Sequence, residues 1–181
     1  VGLQQVNPAA DPLDLVPLAD VKEHCTIESD AWDAMLTGYI TAAIAMIEDY
    51  TGVAFGVQQW RLSLDAFGDD IELARGPVTA VTSITYRDEL RALQTLSPAF
   101  TILDMISKPQ RIVLDPDYQW PATARIPNAV TINFETGFAQ MPALAKQAVL
   151  TTVASWFENR EAGIVPAGAL AMVRSLRGIV L

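Results

Sequence analysis

His24 and Cys25 stand side by side, and a thiol next to an imidazole is the pairing from which a nucleophile and its base are made. Adjacent residues on a helix point about 100° apart and do not face each other. Cys25 also falls on the apolar stripe of a short helix, where a buried thiol is inert. The carboxylate pairs Asp69-Asp70 and Asp115/Asp117 are of the type that binds a hard cation. Turns are rich in aspartate for local reasons, which accounts for both pairs without a metal. Gly52-Val53-Ala54-Phe55-Gly56 reads as a helix end, not a dinucleotide fingerprint, and there is no P-loop and no GxSxG. Trp60, Trp120 and Trp156 could line a ligand cleft, but a core or interface role explains them better. One histidine and one cysteine exclude multi-histidine metal sites, cysteine zinc sites and an internal disulfide. The expectation is therefore no catalytic residue, no cofactor and no metal, in a protein that is not an enzyme.

The elements that would position any site are set by 181 residues of which 51% are hydrophobic, enough for one core or two small lobes. The net charge is -9, from 21 acidic and 12 basic residues, and such a chain has no general attraction to phosphate backbones. Residues 1–60 hold nine acids opposed only by Lys22, whereas residues 142–181 carry two acids and four bases. An acidic run of this kind is either a solvated face or a surface that must not adhere to something negative. No stretch reaches the roughly 18–20 apolar residues of a membrane span, and residues 1–20 show no basic region before an apolar one. These features predict a soluble protein from a reducing compartment, with no membrane partner.

The periodicity predicts an α+β fold: a helical bundle core of two long helices plus short ones, with an inserted antiparallel β-rich lobe. Residues 1–16 read as an extended N-terminal arm. A central domain spans 17–162, with helices in 17–52 and 142–161 around a β-rich insertion at 57–137. Residues 163–181 form a C-terminal tail too broken by Gly163, Pro166, Gly168 and Gly178 for one long helix. Within the first helical region, a short helix ends near Thr26. Ser29 or Asp30 caps a second one over about 30–51, and Gly52 closes it. Strands are predicted at 60–64, 71–73, 78–86, 91–96, 99–104, 111–114 and 129–136.

Several segments, taken in order, resemble one family. Leu18-Ala19-Asp20-Val21-Lys22-Glu23-His24 is followed by Asp30 and the helix end Ile47-Glu48-Asp49-Tyr50-Thr51-Gly52. Gln59-Trp60-Arg61-Leu62, Arg75-Gly76-Pro77-Val78 and Val81-Thr82-Ser83-Ile84-Thr85-Tyr86 come next. Trp120-Pro121, Val130-Thr131-Ile132-Asn133-Phe134-Glu135-Thr136-Gly137-Phe138 and Ala154-Ser155-Trp156-Phe157-Glu158-Asn159-Arg160-Glu161 complete the set. No single motif is specific, but the ordered set over about residues 15–163 is similar to the head–tail connector (adaptor) proteins of long-tailed bacteriophages, prophages and gene transfer agents. The Pro-rich N-terminal arm departs from that pattern.

The resemblance implies a non-enzymatic ring, most often twelve-fold, made in the bacterial host cytoplasm and placed in the virion neck. It implies a portal protein on one side, a head-closure or tail terminator protein on the other, and genomic DNA passing through without specific binding. The alternatives are another neck or tail ring protein, a head-closure or tail terminator protein itself, or an uncharacterised small-molecule enzyme. For such a ring, the apolar, basic tail is expected to bind the portal through Leu170, Met172, Val173, Arg174, Leu176, Arg177, Ile179, Val180 and Leu181. Glu23, Glu28, Asp30, Asp33, Glu48 and Asp49 are expected to line the channel. Trp156, Arg160 and Glu161 are expected between subunits.

Overall fold

The structure is a computed structural model that describes residues 2–7 and 11–177. The described residues divide into two compact units, one from 2–7 and 57–137, the other from 11–56 and 138–177. The fold is α+β, as the periodicity predicts, with the β-rich segment inserted between the helical ones.

The helical unit is built on two long helices, α3 (Asp33–Thr51) and α4 (Ala143–Asn159), with the short α1 (Pro12–Leu15), α2 (Leu18–His24) and α5 (Ala167–Val173) packed around them. Leu36, Ile40, Ala43, Ile44 and Ile47 recur at three- and four-residue steps on α3 and are buried. They meet Ala145, Ala148, Val149, Val153 and Trp156 of α4, with Val16 and Val21 closing the sides. Full burial of each large aliphatic side chain contributes roughly 1.5–3 kcal/mol. A 3₁₀ turn, Asp30–Trp32, leads into α3, and the Ser29 hydroxyl accepts from the Ala31 amide at 3.2 Å. Gly52 ends α3 at φ 69°, and its amide donates to the Glu48 carbonyl at 2.9 Å.

The β unit contains two antiparallel sheets. β1 (Gly2–Gln5), β2 (Gln58–Leu64), β8 (Val130–Thr136), β4 (Val78–Arg87) and β5 (Leu93–Leu96) are ordered β1-β2-β8-β4-β5. β3 (Asp70–Leu73), β7 (Gln110–Leu114) and β6 (Thr101–Asp104) form the second sheet in the order β3-β7-β6. Strand alternation aims Trp60, Leu62, Ile84, Ile132 and Phe134 of the larger sheet and Ile71, Leu73 and Ile112 of the smaller into one core. The register sets Trp60 opposite Phe134, and Leu62 and Ile84 opposite Ile132.

Two expectations for the N-terminal arm need correction. Gly2–Gln5 is extended, but it is a paired strand, with Leu3 opposite Leu62 and Gln5 opposite Trp60. Pro12–Leu15 is not extended but a helical turn. Proline suits the first helical position, and the Asp11 carboxylate accepts from the Leu13 amide at 2.9 Å. The strand expected from residue 99 starts at 101, because Pro98–Phe100 forms a 3₁₀ turn capped by Ser97.

Candidate functional site

The residues with chemical potential are placed in structural roles. Cys25 closes α2, and burial pushes its thiol pKa up, with the Glu158 charge adding to the effect; a thiol so held is a poor nucleophile. Asp70 is bound by Arg111 at 2.8 Å, and Asp115 accepts from the Asp117 amide at 3.0 Å within its own turn. Among the described residues no group of three or more His, Cys, Asp or Glu is arranged to hold a metal. Trp60 and Trp120 belong to the β-unit core, Trp120 stacked on Phe67 at 4.4 Å, while Trp156 lies in the helical-unit core.

What remains are surfaces, and one of them is built from residues far apart in sequence. The start of α3 and the end of α4 come together. Trp32, in the 3₁₀ turn, meets Phe157 of α4 edge to face, with centroids 5.9 Å apart. The Arg160 guanidinium lies 4.7 Å from the Trp32 ring centre and 5.0 Å from that of Phe157. Trp32 stays 38% exposed. On either side of it in sequence, Asp30 and Asp33 both accept from Lys22, at 2.5 and 2.9 Å. The Lys22 hydrogen bond lowers the Asp30 pKa, and the two carboxylates raise that of Lys22. Asp20 likewise pairs with Lys146 of α4 at 2.5 Å.

The expected channel-lining acids separate on inspection. Glu23 and Glu28 are exposed. Asp30 is 89% exposed at its side chain but shares Lys22 with Asp33, so this trio carries one net negative charge instead of two. Asp49 is exposed, whereas Glu48 turns back to accept from the Phe55 amide at 2.6 Å and braces the segment after α3. Glu48 is therefore better explained as a local brace than as a lining group.

The residues expected between subunits also divide. Arg160 and Glu161 are exposed, but Trp156 is corrected to a core residue. It is 1% exposed, its ring packs edge to face on Tyr39 at 5.7 Å, and its indole N–H donates to the Ile164 carbonyl at 2.6 Å. The cause is its place on the inner stripe of α4, three residues after Val153.

The tail needs a similar correction. Its described part is not a free apolar segment: Val173 is fully buried on its own unit, and Met172 and Leu176 pack against the same core. These positions form one stripe with Ala169, which closes α5 onto α4. Leu170 is half-buried, Arg174 is exposed, and Arg177 lies over Tyr50 at 5.0 Å. Ile179, Val180 and Leu181 lie outside the described residues.

Trp32 escaped the sequence reading altogether. Its signal was present, an indole between two acids just before a long helix, but its partners lie about 125 residues away, beyond reach of local periodicity.

The family profile described as Phage gp6-like head-tail connector protein matches residues 16–92. No curated protein matches the chain. Among solved structures, a chain of "Virion of native gene transfer agent (GTA) particle" is similar with a TM-score of 0.80 and 27% identity, covering 100% of this chain and 97% of that one. The head–tail connector likeness stands. A chain of "Neck of empty GTA particle computed with C6 symmetry" is similar with a TM-score of 0.79 and 29% identity, over 100% of this chain and 97% of that one. One of "Neck of native GTA particle computed with C12 symmetry" follows with a TM-score of 0.74 and 28% identity, at the same coverage of both chains. The connector likeness in sequence covers α2 through β4, and the likeness in fold covers both units. Together the matches support a structural protein of a particle neck.

Proposed function

We propose that this chain is a subunit of a closed ring in the neck of a phage or phage-like particle, joining the portal of the head to the tail. The observation that carries the reading is the similarity over the full chain, at a TM-score of 0.80 and 27% identity, to a chain of a gene transfer agent virion. The neck structures computed with C6 and C12 symmetry support a cyclic arrangement, with twelve copies as the proposed number. Portal protein on one side and a head-closure or tail terminator protein on the other are its proposed neighbours.

DNA is proposed to pass through the ring without specific binding. The exposed Glu23, Glu28, Asp30 and Asp49 are the proposed lining, since acids repel phosphates at short range and physiological salt limits that reach to about 8 Å. The portal contact is proposed to lie at the C-terminal end, with the exposed Arg174 contributing a cation. Particles assembled without this chain are expected to accumulate as DNA-filled heads and separate tails. Infectious or DNA-transferring particles formed in its complete absence would show that it does not join the two.

A further inference from the structure

Arg160 ends α4 with φ 55° and ψ 26°, the left-handed conformation in which a β-carbon is penalised and glycine is the ordinary residue. Keeping an arginine there places its guanidinium over two rings at once, Trp32 and Phe157. A guanidinium held beside aromatic rings still has N–H donors to offer a carboxylate in a planar fork. Among the described residues no ion pair engages that fork. The site is thus aromatic, cationic and exposed, and Trp and Arg are the residue types that dominate the centres of interfaces.

We infer that the Trp32–Phe157–Arg160 patch is the socket by which each copy of this chain grips a carboxylate-bearing surface of the next copy, an inference that rests on the ring function proposed above. Charge complementarity names the occupant. The helical unit alone carries eleven acidic and five basic side chains, so acid is what a second copy mostly presents. A two-fold pairing of the patch with itself would close a dimer and not a ring. The patch takes a different face of its neighbour, the head-to-tail contact that a closed ring requires.

The test uses the full chain, with rings formed by the purified protein or recovered from disrupted particles. Arg160→Gly removes the cation and relaxes the left-handed backbone, so the variant is expected to fold with a Tm within a few degrees of wild type. Its ring formation, followed by native mass spectrometry, should require at least tenfold more protein. Arg160→Lys keeps the charge but loses the planar fork and should fall between the two. Hydroxyl-radical footprinting of the wild type needs no variant: Trp32 should be oxidised in the monomer and protected in the ring. Wild-type rings in which Trp32 reacts as in the monomer, or a folded Arg160→Gly protein that forms rings as readily as wild type, would overturn the socket and leave the ring function standing. A wild-type chain that forms no ring, free or in particles, would remove the ring function itself.

Discussion

Asp104 closes the β6–β7 turn on itself. Its carboxylate accepts from the Ser107 hydroxyl at 2.6 Å, from the Ser107 and Ile106 amides at 3.1 and 3.0 Å, and from Arg111 at 3.1 Å. These bonds, led by the Ser107 hydroxyl, hold its pKa well below the usual carboxylate range. A carboxyl group with a depressed folded-state value contributes stability that is fully present above its unfolded value, about 3.9, and lost as pH falls toward the folded one. Asp104→Asn should therefore lower the Tm at pH 7, and its difference from wild type should shrink as the pH drops below about 4. A difference that stays constant from pH 7 to pH 2 would assign the effect to shape instead of charge. Little of this was legible in sequence, because Asp104 gains its role from a turn whose ends are fixed by a cross-strand pair, Asp104 opposite Arg111. Lys22 was legible as the only base in an acidic third, but its two-sided pairing depends on how α2 returns to the start of α3.

The long helices were readable because their apolar positions repeat over several turns, and for α3 because Ser29 opens the 3₁₀ turn that leads into it and Gly52 closes it. β1 was not readable: Gly-Leu-Gln-Gln has no apolar alternation, and the strand exists only because β2 offers an edge to it. The same dependence on context decides Trp156 for the core over the subunit interface. Trp156→Ala should destabilise the protein by about 3–5 kcal/mol, as cavity formation at large aromatic residues does. Urea unfolding measures this, and a loss below about 1 kcal/mol would contradict a core position. Thr136, at the end of β8, is buried with no hydrogen-bond partner for its hydroxyl. Replacing an unsatisfied hydroxyl by a methyl of the same shape is neutral or favourable, so Thr136→Val should hold or raise stability by up to about 1 kcal/mol. Clear destabilisation of that variant in the same urea series would mean that the hydroxyl has a partner.

At the scale of the whole molecule, each unit has its own core, and both fall within the similarity to neck proteins. The order of helices, strands and helices was legible from the change of period along the chain. The fate of the tail was not: a run of apolar residues after Pro166 reads alike whether it docks on a partner or on its own unit, and the structure seats Val173 in the latter. Removing residues 170–181 should thus lower the Tm further than removing 178–181 does, because it opens the helical core. Equal Tm values for the two truncations would show that α5 contributes nothing to that core.

The most direct measurement is a symmetry-free reconstruction of the neck in particles that carry this chain. A closed ring of copies between portal and tail, with DNA or an open channel on its axis, is the expected density. Density for the chain outside the neck, or as isolated copies that do not close a ring, would contradict the proposed function.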